Sequence, residues 1–543
     1  MTEPPQPPNQ PPTPSGYGHL PGPPPSGYGQ TPPPADNPYA QQAPYAQPPT
    51  QPMQSGYGHP GPPPAPPTMP TGAAGLPPKK KLTLLVAASV ASVLLLGGTG
   101  YFVFSGSDDD PKKPVAQEST PADAKPSVSA SVDKGDGSGP GGADVDLNSG
   151  RKQGENKVLW LKTAKIDGPG SGVAAEGQWV VGDTVVKSVW KSLVGYGVAD
   201  GKEKWTIPFP AEICSLTDQM TADGKTVVLF KNGESDSADC NQLRMVDLKA
   251  GKEGWTKEVP QEGTFDLFAG AHLSLTGDSV SVNRVTRASV FKVSTGDKLF
   301  STPGDGCMIG AYVAGNNKMI SLATCQDADR TVEIKDADPV TGKSTWSYRL
   351  AKGSEVTNVY SVDPLVLDIG DKKKVRSIVV LGPDGKPRAT VSGEGSFATC
   401  INSFSDSVQG CVPGVADSGT LYLPTSTEGG AANEIVAFDL SSGKAKWRTP
   451  AGDKRTLVPI KIEKGQLIAY RKAESDLGGE VLAIPAGGGT PTALLRHPSG
   501  PSTPIESGFH TANADYVDGR FFLSVTHLLA QGKDEKLLMV FGK

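Results

Sequence analysis

The chain has 543 residues, with 66 glycines, 51 prolines, six cysteines and a formal net charge of -5. That length allows two or three average domains. A near-balanced charge with no broad basic stripe excludes nucleic-acid binding, which needs a concentrated cationic footprint.

More than half of the prolines precede Lys79, and residues 1–78 hold only two charged side chains, Glu3 and Asp36. Ser-Gly-Tyr-Gly recurs from Ser15, Ser26 and Ser55. Too few large aliphatic residues are present to bury a core, so nothing offsets the entropy of ordering this stretch. Residues 1–81 are therefore predicted to be a disordered Pro/Gly/Tyr/Gln-rich tail with polyproline II bias, serving a cytoplasmic partner or acting as a solvated spacer.

Lys79-Lys80-Lys81 closes the tail, and Leu82 to Phe104 carries no charge. A helix of that length rises about 34 Å, against about 30 Å for a bilayer core. Residues 82–104 are thus predicted to cross a membrane once. The lysine triplet precedes the span and Asp108-Asp109-Asp110 follows it. Positive charge stays cytoplasmic, so the N-terminus is expected inside and everything beyond Phe104 outside the cell membrane. Residues 105–155, rich in Ser, Gly, Pro, Asp and Lys, read as a flexible extracytoplasmic linker. The GxGxxG match at Gly137 to Gly142 has neither a strand before it nor a helix after it, which removes it as a dinucleotide site.

From Asn156 short apolar runs such as TVVLF (226–230) and EIVAF (434–438) alternate with turn residues, the texture of an all-β domain. A Gly followed by Lys or Asp, with an aromatic four positions on, recurs: Gly201/Trp205, Gly251/Trp255, Gly296/Phe300, Gly342/Trp346 and Gly443/Trp447. Gly385-Lys386, without the aromatic, and the glycine run Gly487 to Gly489 are weaker copies. Roughly 45 residues is one four-stranded propeller blade. The glycine supplies a positive φ between the last two strands, and the aromatic fills the space between stacked blades. The chain stops at Gly542-Lys543, and Trp160 lies in a strand that would follow such a turn. Residues 156–543 are therefore predicted to form an eight-bladed β-propeller, closed by pairing the strand at Trp160 with the C-terminus. Seven blades is the alternative, if the two weakest copies are miscounted.

Strand, Asp, Gly-Lys and Trp at this period resemble the pyrroloquinoline-quinone-type propeller repeat, over residues 156–543. That repeat occurs in quinoprotein dehydrogenases and in cofactor-free relatives such as the outer-membrane assembly lipoprotein and sensor ectodomains. With its tail and single span the chain resembles actinobacterial single-pass membrane proteins. The resemblance implies a fold and leaves the function open. Quinoprotein dehydrogenases carry adjacent cysteines beside the cofactor. This chain has no Cys-Cys dipeptide and lacks the insertions that roof the quinone, so no cofactor is expected.

The cysteines lie at 214, 240, 307, 325, 400 and 411, all beyond the span, where disulfides form. The expected pairs are Cys214–Cys240 and Cys307–Cys325, which sit alike in their repeats, and Cys400–Cys411 by proximity. The spacings do not suit a metal. Histidines 272, 497, 510 and 527 are scattered and read as surface or turn residues. Asp327/Asp329 and Asp336/Asp338 lack the rest of a calcium loop and read as solvated loops. The expectation is a binding, scaffold or sensor domain for a protein, peptide or glycan, without catalysis. The alternative is a quinone-dependent dehydrogenase or a hydrolase.

Overall fold

The computed structural model describes residues 145–543, except 264, 303–305, 373–374, 394–395, 398–407, 410–413 and 428–431. The tail, the expected span at 82–104, residues 105–144 of the linker, and Cys400 and Cys411 lie outside the described residues.

Eight antiparallel four-stranded sheets are present. Seven are built from consecutive segments: blade 1 is 178–208, blade 2 is 213–258, blade 3 is 272–301, blade 4 is 307–349, blade 5 is 354–390, blade 6 is 415–450 and blade 7 is 457–496. Blade 8 is composite. Ala512–Val517, Arg520–Val525 and Gln531–Gly542 pair in that order, and Lys157–Asp167 adds the outermost strand. Lys157 faces Gly542, Val158 faces Phe541 and Trp160 faces Val540. The ring therefore closes by joining the two ends of the domain within one four-stranded sheet. Eight blades are observed, not seven.

Stacking in a ring explains the sequence texture. Thr184–Val189 and Ser192–Gly197 are buried along their whole length because a neighbouring blade covers each side. Outer strands such as Lys252–Glu258 are largely exposed. The core lies between blades: Val186 and Leu193 of blade 1 pack with Val228 and Phe230 of blade 2, and Ile320 and Leu322 of blade 4 with Leu365 and Leu367 of blade 5.

The recurrent glycines hold positive φ at Gly201, Gly251, Gly296, Gly342, Gly385 and Gly443, between +63° and +76°. Asp side chains cap several of these turns, as where Asp439 accepts the amides of Ser441 and Ser442 at 3.0 and 2.9 Å. Each aromatic lies against the glycine of the next blade: Trp160 on Gly201, Trp205 on Gly251, Trp255 on Gly296, Phe300 on Gly342 and Trp346 on Gly385. Where blade 5 lacks the aromatic, the backbone at Thr390 meets Gly443 instead. Within the blade 7 run Gly487 to Gly489 it is Gly488, at φ +83°, that receives Trp447, while Gly487 faces open space. Gly542 ends the strand Gln531–Gly542 with Leu159, not an aromatic, against it.

The packing extends upstream of Asn156. Leu147 is buried in the blade 8 cluster. The Asn148 side chain brackets Val158, donating to its carbonyl at 3.0 Å and accepting its amide at 2.9 Å.

Candidate functional site

The blade-to-blade connections and the turns between second and third strands share one end of the ring. A cleft of about 280 Å³ opens there, lined by Glu176, Trp190, Glu212, Ile213, Lys231 and Ala271 among others. Glu176 sits just before blade 1, Glu212 and Ile213 open blade 2, and Ala271 leads into blade 3.

Trp190 is held there at a backbone cost. Val189 pairs with Ser192, leaving the two-residue hairpin loop Trp190-Lys191. Its first residue has φ +50°, a position where such loops favour glycine. The backbone is pinned on both sides: the Trp190 amide donates to Ala174 O at 2.9 Å, and its carbonyl accepts from the Ile213 amide at 3.0 Å. The ring thus stands at the seam of blades 1 and 2. Lys191 Nζ lies 4.3 Å from the ring centroid and pairs with Glu234 at 2.5 Å. Across the cleft, Lys231 pairs with Glu212 at 2.6 Å.

Glu176 and Asp218 are different. Neither carboxylate accepts a hydrogen bond or forms an ion pair among the described residues. Burial, then repulsion from Asp218, raises the Glu176 carboxyl above its usual range, and Lys187 offsets only part of this. Asp218 is exposed at its own surface, and only the protein mass around it raises its carboxyl. Lys187 is fully buried and its Nζ donates to Ala175 O. Burial pushes it down to about 7, with Glu176 pulling the other way. This end of the ring therefore carries negative charge that its own cations do not fully match.

The wall toward blade 3 is the connection 259–271. Its fold depends on a buried ion pair. Arg284 Nε donates to Asp266 Oδ1 at 2.6 Å with both side chains fully buried. Arg284 also reaches Ser289 Oγ at 3.0 Å and lies over the Phe268 ring, while Asp266 accepts the Glu262 amide at 2.7 Å. Such a pair adds little net stability but fixes one loop conformation. The loop presents Phe265, 77% exposed, and Leu267, 50% exposed, with Val285 at 57% beside them. Thr286 Oγ1 donates to Phe265 O at 2.8 Å and ties the tip to blade 3.

At the seam of blades 7 and 8 a second network is wholly buried. Glu506, in the short helix Thr503–Ser507, is bonded by His497 Nδ1 at 2.6 Å, Tyr470 OH at 2.7 Å and the Gly479 amide at 3.2 Å. His497 stacks on Phe541 at 3.8 Å. This corrects the expectation of surface or turn histidines for His497, and also for His272, which is buried as well. No sequence motif announces either: His497 meets Glu506 of the short helix, and His272 Nδ1 lies 3.4 Å from Gly270 O. The helix walls an apolar groove of about 830 Å³ with Leu161, Val525 and Leu528.

Cys214–Cys240 and Cys307–Cys325 are disulfides, with Cα separations of 6.3 and 3.7 Å. The first tethers the cleft wall at Cys214. The second joins residues directly opposed in blade 4. Both sulfurs lie near Glu333, which instead holds Lys335 at 2.6 Å and Arg349 at 3.3 Å. The acidic pairs cap turns: Asp327 accepts the Thr331 amide, Asp336 those of Thr345 and Trp346, and Asp338 those of Val340 and Thr341.

No known protein family matches the sequence, and no curated protein matches it. Among solved structures the chain is similar to BamB from Moraxella catarrhalis, at 14% identity and TM-score 0.40 over 71% of this chain and 100% of that one. It is also similar to a quinohemoprotein alcohol dehydrogenase from Pseudomonas putida HK5, at 11% and 0.41 over 72% and 76%. A europium-containing methanol dehydrogenase matches at 11% and 0.40 over 71% and 93%. At these TM-scores the likenesses carry no argument, and the propeller fold rests on the sheet topology itself.

Proposed function

We propose that this chain is a membrane-anchored extracytoplasmic propeller that binds and positions a protein partner, without chemistry of its own. The observation that carries this reading is the pairing of a charged cleft with an apolar loop at one end of the ring. Phe265, Leu267 and Val285 are held out by a buried ion pair beside a cleft with the unpaired carboxylate of Glu176 and a strained tryptophan. Aromatic and apolar anchors next to charge are what protein interfaces concentrate their binding energy in. The hydrophobic stretch at 82–104 supports the anchor, and the proline-rich tail supports a link to a cytoplasmic partner. A glycan is the other ligand such a face could take.

The test places a photo-crosslinking residue at Leu267 in the full-length chain in its native membrane. A second goes at Val340, exposed in a turn at the opposite end of the ring. Discrete crosslinked protein species from position 267 and none from 340 are expected. Crosslinks from neither position would overturn the reading, as would turnover of alcohols, sugars or glycosides by the purified chain.

One observation favours a second reading, an enzyme. Lys187 at about 7 beside the raised Glu176 is the kind of perturbed pair that acid–base catalysis uses. Turnover that disappears in Glu176→Gln would establish it. An absorbance from pyrroloquinoline quinone retained with calcium would favour the dehydrogenase form.

A further inference from the structure

The cleft between blades 1 and 2 differs from the apolar loop beside it, and its chemistry is more specific than protein binding in general. We infer that it is the receptor for a single arginine side chain supplied by the partner, with the guanidinium between the Trp190 ring and the Glu176 carboxylate. This rests on the binding function proposed above and names what the partner must present.

Size comes first. About 280 Å³ is below the range of sites for drug-sized ligands, and it suits one long side chain entering from a protein surface. Charge comes second. Lys191 is matched by Glu234 and Lys231 by Glu212, so the ion pairs at the rim are complete without Glu176. Glu176 lines the cleft, is partly buried and has no hydrogen-bond partner among the described residues. Its neighbour Asp218 adds further negative charge, and the cation nearest to it, Lys187, is turned to Ala175 O. A bound cation would give the Glu176 carboxylate the partner that the fold withholds. The raised carboxyls of Glu176 and Asp218 agree with that deficit.

The lining then selects among cations. A metal ion needs several oxygen ligands, whereas this cleft offers one free carboxylate among Trp190, Ile213, Leu216 and Ala271. An organic cation fits such a wall. Lys191 Nζ lies over the Trp190 ring at 4.3 Å while pairing with Glu234, so an incoming guanidinium would replace it on the ring and leave it to Glu234. Between the two organic cations, the planar guanidinium both stacks on an indole and bonds a carboxylate with two parallel N–H groups, which an ammonium does not. The positive φ of Trp190 has a function on this account. A glycine would relieve the backbone but leave the cleft without its stacking surface.

The experiment titrates the full-length protein in detergent with three pentapeptides, Ac-Gly-Gly-Xaa-Gly-Gly-NH2, in which Xaa is arginine, lysine or citrulline. Saturable binding of the arginine peptide is expected, about tenfold tighter than the citrulline peptide, which keeps the shape and loses the charge. Lysine should fall between them. Glu176→Gln should bring the arginine peptide to the citrulline level. Trp190→Gly should weaken the arginine peptide; because Trp190 also packs on the core, its melting temperature is read alongside, and Glu176→Gln tests the cleft without that loss. Equal binding of arginine and citrulline peptides would overturn the inference. So would no saturable binding of the arginine peptide, or calcium bound where the peptide is not. If the peptides fail while the Leu267 crosslink persists, the arginine receptor falls and the binding function stands. If both fail, both fall.

Discussion

The indole of Trp255, in the outer strand of blade 2, covers the α-carbon of Gly296 in blade 3, and its Nε1 donates to Val293 O at 2.8 Å. Trp160 does the same to Gly201 and Val198 O at 3.1 Å, and Trp447 to Gly488 and Ala486 O at 2.9 Å. Each contact fastens a blade to the next through one ring and one hydrogen bond. It requires a turn with no Cβ, which is why glycine and aromatic recur together.

The closing copy of this contact is the most consequential. Trp160 is fully buried and stands in the strand that joins the two ends of the domain. Trp160→Ala is expected to cost about 3–5 kcal/mol, the range for large aromatic truncations in cores. Deleting 156–162 should unfold the whole ring, whereas deleting 1–78 should leave its melting temperature unchanged. Thermal melts of the three variants check this.

Blade 7 offers a control within one loop. Gly488→Ala puts a methyl group against the Trp447 ring at a positive φ. It should cost about 2–4 kcal/mol from the left-handed backbone and overpacking together. Gly487→Ala meets nothing within 4 Å and has no positive φ, so its melting temperature should match wild type. Equal effects from both would contradict the assignment of Gly488.

Lys187 predicts a pH dependence with a definite sign. Its folded pKa of about 7 lies below the usual lysine value, so between the two the unfolded chain binds more protons than the folded one. Stability from this group therefore rises as pH climbs from 7 toward 10, and the full burial penalty is present below pH 7. In Lys187→Met that penalty is gone at every pH. The melting temperature of the variant minus that of wild type should be largest at pH 7 or below and shrink steadily toward pH 10. A difference independent of pH would contradict the buried, depressed lysine.

Removing Arg284 strands the Asp266 carboxylate in the interior. Arg284→Met is expected to destabilise by about 3–5 kcal/mol, as for breaking one side of a buried pair. The loop that Asp266 anchors should open first, seen as new protease cleavage between residues 259 and 271. The Leu267 crosslink should be lost with it.

The disulfides in blades 2 and 4 were legible because paired cysteines occupy corresponding places in their repeats. The run Gly487 to Gly489 left open which glycine lies under Trp447. Spacing locates a turn to within a residue or two, and only the position of the packed indole says which glycine lies under it.

The sequence alone determined the all-β class, the blade period, the eight copies and the closure of the ring near Trp160. All of these follow from patterns that repeat along the chain, where each copy supports the others. Only the tertiary structure decided the cleft at Glu176 and Trp190, the Asp266–Arg284 anchor and the His497–Glu506 contact. Those depend on which side chains meet across blades, and each occurs once, so no periodicity marks them. The charge deficit at Glu176 is invisible in a composition that is nearly balanced overall. It arises because the nearest cation, Lys187, is buried and bonded to backbone, while the lysines at the rim are paired elsewhere.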